Sequence, residues 1–138
     1  MPSCLILGDS LAVGVSQHLP QCEVHAKVGA QTNSFIGSGI HVNQWFSDTA
    51  LVSLGSNDSG SPAIQYDVLR KFRKTLTANR VFWILPNNNW VAREAIKEVS
   101  KEFGDFLIDA RNYERSPDKV HPTGKAYKEI ASAVPLKK

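Results

Sequence analysis

The chain has 138 residues, 42% apolar and 21% charged, which is the size and composition of one ordinary folded domain and excludes a disordered chain. Sixteen Lys and Arg against thirteen Asp and Glu leave a net +3, too slight to argue for nucleic acid. Two cysteines cannot staple a miniprotein, and the longest uncharged stretch, Val28 to Ser47, carries Gln31, Thr32, Asn33, Asn43 and Gln44, too polar for a membrane span. Met1-Pro2-Ser3-Cys4 has no positive flank before Gly8 and Asp9, so no secretory signal is expected and the cytoplasm is the expected location.

In chain order, short β-rich runs are predicted at Cys4 to Leu7, Glu23 to Val28, Ala50 to Leu54, Val81 to Leu85 and Phe106 to Ile108. Most are continuously apolar, as strands covered on both faces of a parallel sheet are. Amphipathic stretches alternate with them. Leu11 to Leu19 follows the first strand. Ile64, Val68, Phe72 and Leu76 recur every four residues, Trp90 to Phe103 sets Ala92, Ala95, Ile96, Val99 and Phe103 on one side, and Pro122 to Val134 offers Ala126, Tyr127, Ile130, Ala131 and Val134. Gln31 to Phe46, interrupted by Gly37 and Gly39, reads as a short helix with loops. The alternation predicts an open α/β sandwich with right-handed crossovers over residues 1–138, with no repeat or linker. Cys4 and Cys22 are expected to be buried free thiols in or beside neighbouring strands.

In such sheets ligands bind beyond the carboxyl ends of the strands. Those loops read Gly8-Asp9-Ser10-Leu11, Val28-Gly29-Ala30, Gly55-Ser56-Asn57-Asp58, Asn87-Asn88-Asn89-Trp90 and Asp118-Lys119-Val120-His121. Ser10 sits where a strand turns into a helix, with helix N–H groups beside it. A serine hydroxyl needs a base to become a nucleophile, and His121 is the candidate, with Asp118 three residues earlier to hold its tautomer. The amides of Ser10 and Gly29 and the Asn57 side chain can converge on an oxyanion, each donor worth about 3 kcal/mol of barrier. Asp9 and Asp58 read as loop-organising carboxylates.

These blocks, in this order, resemble the SGNH hydrolases, also called the GDSL esterases and lipases. Gly8-Asp9-Ser10-Leu11 matches the first block, Gly29 the lone glycine of the second, Gly55-Ser56-Asn57-Asp58 the third, and Asp118-Lys119-Val120-His121 the last. Each triplet is common alone; the conjunction at successive strand ends carries the weight. The resemblance implies a flavodoxin-like three-layer α/β/α sandwich, a five-stranded parallel sheet of order 2-1-3-4-5, and ester hydrolysis through an acyl-serine intermediate. No metal or other cofactor is expected.

The leading expectation is a serine esterase for a short acyl group, with carbohydrate O-deacetylation foremost, because no long apolar segment near the site could enclose a fatty chain. The alternatives are a lysophospholipase or thioesterase of the same family, or a non-catalytic binding or assembly module such as a phage virion component. A phosphate-binding flavodoxin-like protein is weaker, since neither a P-loop nor Gly-x-Gly-x-x-Gly is present. Asn87, Asn88 and Trp90 are candidate substrate contacts, where amides and an aromatic face could hold a sugar. Trp45 and Trp83 read as packing residues. His18, His25 and His41 have no companion at ligand spacing. From Val68 to Arg93 there are basic residues and no acid; Arg70, Lys71, Arg73 and Lys74 read as a solvated face, with an acidic partner or anionic polymer as the sharper alternative.

Overall fold

A computed structural model describes residues 3–38, 41–42 and 44–136, with only the backbone of Ser38, His41 and Val42. Gly39 and Asn43, which the sequence reading placed in the weakly patterned region, lie outside the described residues, as do Met1 and Pro2 of the expected signal-free start.

Five parallel strands form the sheet: β1 (Cys4–Gly8), β2 (Glu23–Ala26), β3 (Trp45–Ser53), β4 (Leu76–Leu85) and β5 (Phe106–Asp109). Their order is β2-β1-β3-β4-β5, as the resemblance implied. Four helices alternate with them: α1 (Ser10–Ser16), α2 (Pro62–Lys74), α3 (Trp90–Phe103) and α4 (Gly124–Ser132). Every helix starts on a polar cap, Asp9, Ser61, Asn89 and Thr123, whose side chain accepts a first-turn N–H.

Side chains alternate across a strand, so β1 feeds both faces. Cys4 and Ile6 join Leu11, Val15, Ile84, Ile108 and Ile130 under α1 and α4. Leu5 and Leu7 join Val52, Phe72, Trp83, Ile96 and Val99 under α2 and α3. Burial on both faces explains why the central strands carry continuous apolar runs. The chain leaves β1 to one side for β2 and returns to the other for β3, so the order reverses between β1 and β3, where such sheets open a crevice.

Several boundaries differ from the sequence reading. β3 begins at Trp45 and β4 at Leu76, each well before its apolar run, because Trp45 pairs with Leu76 and the two strands continue together. A 3₁₀ turn (Thr32–Phe35) and a two-residue antiparallel pairing of Gly37–Ser38 with His41–Val42 occupy the region read as helix and loops. β2 stops at Ala26 on the exposed sheet edge.

The cysteines are a correction. Cys4 and Cys22 form a disulfide, with Cα atoms 4.7 Å apart. Leu5 pairs with Glu23 in parallel register, which sets Cys4 beside Cys22 at an interstrand spacing. Disulfides persist in oxidising compartments, so a cytoplasmic location does not follow. Among the described residues no helix is long and apolar enough to cross a membrane.

Candidate active site

Ser10 opens α1 directly after β1. The turn needs Gly8, whose φ is +149° and where a Cβ would run into the Ser53 carbonyl. Asp9 next to it is buried, and its Oδ1 accepts from the Leu11 N–H (3.1 Å) and the Ser53 hydroxyl (2.9 Å). Its Oδ2 is buried without a partner. Burial pushes the carboxyl up to about 6, against the pull of the Ser53 hydroxyl and the Leu11 N–H. Asp9 thus ties β1, β3 and α1 together, the loop-organising task read from the sequence.

Ser10 Oγ lies 2.8 Å from His121 Nε2, across 111 residues of chain. His121 Nδ1 lies 2.6 Å from Asp118 Oδ2. Asp118 Oδ1 accepts from the His121 N–H (3.0 Å), the Val120 N–H (2.9 Å) and the Ser116 hydroxyl (2.8 Å). The His121 side chain first, then those backbone donors and Ser116, hold its carboxyl well below the usual carboxylate range. An ionised Asp118 keeps the proton on Nδ1, so Nε2 faces the serine hydroxyl as an acceptor. The structure therefore brings Ser10, His121 and Asp118 into one hydrogen-bonded chain.

The loops after β2 and β3 are stitched together beside it. The Asn57 amide donates to the Ala30 carbonyl (3.1 Å), and Gln31 donates to the Asn57 carbonyl (3.1 Å). Asp58 accepts from the Thr32 N–H (2.9 Å) and hydroxyl (2.5 Å), again organising a loop. Gly29 has φ +82°, a left-handed conformation that favours glycine. The Asn57 amide has a second hydrogen beyond the one given to Ala30, and the Ser10 N–H, in the first turn of α1, has no acceptor within the helix.

Of the three candidate substrate contacts, two have their amides engaged by neighbouring loops, Asn87 half-buried and Asn88 exposed. Asn87 donates to the Val120 carbonyl (2.8 Å), bracing the loop that carries His121. Asn88 accepts from the Ser56 hydroxyl (2.6 Å) and donates to the Ser56 carbonyl (3.3 Å). Trp90 is 58% exposed, with the guanidinium groups of Arg93 and Arg111 within 5.5 Å of its ring centre. Asn89, named in the sequence only as part of that loop, donates to the Gly55 and Asp58 carbonyls and to Gln65 while capping α3. Its place before an amphipathic helix was the available signal.

The basic segment is a second correction. Arg70 grips Glu102, Arg73 is buried on Asp105 and the Leu76 carbonyl, and Lys71 pairs with Asp67. Arg93, 1% exposed, is bidentate on Asp109. An acidic partner or anionic polymer at Arg70, Lys71, Arg73 and Lys74 finds no support, three of those four charges meeting carboxylates of the same chain; Arg70 and Lys71 remain on a solvated face, as read, whereas Arg73 is buried. Trp83 is core, as read, and donates to Asp105 (2.9 Å); Trp45 is half-buried and donates to the Phe35 carbonyl (3.0 Å). His25 bonds Glu23 on the sheet edge. Among the described residues no group of three or more His, Cys, Asp or Glu could hold a metal ion.

The fold is that of the SGNH (GDSL) hydrolases. A carbohydrate acetylesterase, Est24 of Sinorhizobium meliloti, superposes with a TM-score of 0.66 at 12% identity, covering 96% of each chain. The C-terminal catalytic domain of peptidoglycan O-acetyltransferase A from Streptococcus pneumoniae gives 0.61 at 15% identity, over 99% of this chain and 97% of that one. Phospholipase A1 of Streptomyces albidoflavus gives 0.58 at 14%, over 96% and 98%. No protein-family model and no curated protein matches the sequence.

Proposed function

We propose that the protein is a serine esterase that hydrolyses a short-chain acyl ester, foremost an O-acetyl group on a carbohydrate. The observation that carries this reading is the unbroken chain from Ser10 Oγ through His121 to Asp118, at 2.8 and 2.6 Å. In the reaction, Ser10 Oγ attacks the ester carbonyl while His121 Nε2 takes its proton. The carbonyl oxygen becomes an oxyanion facing the Ser10 and Gly29 N–H groups and the Asn57 amide. The tetrahedral intermediate collapses, His121 passes its proton to the departing alkoxide, and the acyl group stays on Ser10. Water, deprotonated by His121, then attacks the acyl-serine; the carboxylic acid leaves and Ser10 regains its hydrogen. Asp118 keeps the imidazole oriented and stabilises its charged form. The acylated-carbohydrate reading draws support from the acetylesterase fold neighbour and from a site placed on short loops.

A fluorophosphonate probe and p-nitrophenyl acetate test the reading together. The wild type is expected to be labelled at Ser10 and to release p-nitrophenol, and Ser10→Ala to do neither. A wild type that is both unlabelled and inert overturns the enzyme reading in favour of a binding or assembly module. Rates across p-nitrophenyl esters of rising length separate the acetylesterase from a lysophospholipase or thioesterase, and a maximum at long chains overturns the short-acyl choice.

A further inference from the structure

The segment leading from β5 to His121 carries three cations at short intervals, Arg111, Arg115 and Lys119, against two carboxylates, Glu114 and Asp118, the second of them engaged by His121. With Tyr113, Glu114, Ser116 and Pro117 they line an open depression of about 520 Å³ in which cations outnumber the one carboxylate. Ser116 and Lys119 flank Asp118, and Ser116 donates to it, so the depression starts at the loop that presents the imidazole. Elsewhere Arg70, Arg73 and Arg93 each lie on a carboxylate, and Arg80 lies on the Thr49 hydroxyl and the Pro135 carbonyl. Here, among the described residues, Arg115 and Lys119 form no ion pair, and Arg111 reaches Asp109 only at 3.4 Å. Lys119 has φ 61°, uncommon for a residue with a side chain, in a turn closed by its N–H on the Ser116 carbonyl (2.9 Å). Arg111 also lies 5.4 Å from the exposed Trp90 ring, which extends the strip with an aromatic face.

We propose that this cationic depression is a subsite for the carboxylate groups of an acidic glycan, so that the ester substrate is an acylated acidic glycan and not a neutral one. The inference rests on the esterase reading for its reaction but on separate residues for its binding. Guanidinium forks match carboxylates in two-point contact, and Lys119 adds a point charge beside the loop of Asp118 and His121. Trp90 and Tyr113 offer faces on which sugar rings stack. Unpaired cations in an open groove attract an anionic chain over roughly a Debye length, about 10 Å at 0.1 M salt. An anionic partner is thus placed at the rim of the site, where Arg115 and Lys119 form no ion pair among the described residues, and not on α2, where three of the four cations meet carboxylates.

The test compares acetate release from O-acetylated polygalacturonan with release from neutral O-acetylated glucomannan, for the wild type and for Arg115→Glu/Lys119→Glu. The expected result is a wild-type preference for the acidic polymer, reduced about tenfold or more in the variant, and reduced likewise for the wild type as salt rises to about 0.5 M. An unchanged preference in the variant, with ester hydrolysis intact, overturns the subsite and leaves the esterase standing. Retention on unacetylated polygalacturonate in affinity electrophoresis supplies a readout free of catalysis. Retention of the wild type and its loss in the variant support the subsite even if no ester is cleaved, an outcome that would sink only the esterase. Release from polygalacturonate by inorganic phosphate at concentrations where galacturonate has no effect would overturn the carboxylate assignment.

Discussion

His121 is the one group in the proposed reaction that carries a proton, whereas Asp118 acts on it without touching the reacting atoms. His121→Ala should therefore lose at least as much kcat as Asp118→Ala, each on the order of 10³ to 10⁴ on p-nitrophenyl acetate. A near-normal His121→Ala enzyme would remove the histidine from the reaction. Asp118 is held ionised far into acid, so the acid fall in kcat/KM should follow imidazole protonation alone. Burial pushes Asp9 up to about 6, and Asp9→Asn separates its titration from the catalytic one: the acid fall should persist in that variant. Stability should behave differently. Between its ordinary 3.8 and about 6, Asp9 holds a proton in the folded chain that the unfolded chain has lost. Its contribution is full below 3.8 and is lost as the pH rises through 6, roughly 3 kcal/mol in all. Urea midpoints taken from pH 4 to 7 should fall more in wild type than in Asp9→Asn.

Between elements, buried ion pairs fix how helices sit on the sheet. Asp105, just past α3, takes both Arg73 of α2 and the indole of Trp83 on β4. Arg73→Ala leaves that buried carboxylate with the indole as its remaining side-chain donor and should cost about 3–5 kcal/mol. Removing both charges, as in Arg73→Met/Asp105→Leu, should cost much less, because no uncompensated charge is left behind. Urea denaturation of the three proteins checks the order, and equal losses in single and double variants would contradict it. The same pairing accounts for most of the charge in the basic run on α2. A charge pattern along one helix does not reveal which carboxylates another helix brings to it, and Glu102 and Asp105 come from the α3 region, about thirty residues on.

For the molecule as a unit, the disulfide closes the loop of α1 onto β1. A closed loop of 18 residues restricts the unfolded chain by about 3 kcal/mol. Reduction, or Cys4→Ser/Cys22→Ser, should lower the unfolding free energy by that order, read from urea curves with and without reductant. Free thiols in the unreduced native protein, seen by alkylation and mass, would show the pairing absent.

Much of the design was written locally. The four-residue spacing located α2 but not its buried face, since Ile64 is exposed, Leu76 opens β4, and Gln65, Leu69, Phe72 and Arg73 are the buried positions. Continuous apolar runs specify the central strands, buried on both faces, and a polar residue before each amphipathic stretch specifies a cap, since these depend on neighbours a few bonds away. Ser10, Asn57 and the Asp118–His121 pair were legible for the same reason: each belongs to a short pattern at a strand end. Which partner each group meets was not legible. The 2.8 Å between Ser10 and His121, the Cys4–Cys22 bond, the inward turn of Asn87 onto Val120 and the pairing of Arg73 with Asp105 all join residues distant in the chain. Such contacts depend on strand order and register, which arise when the whole apolar surface is buried at once, so they become fixed only in the assembled fold.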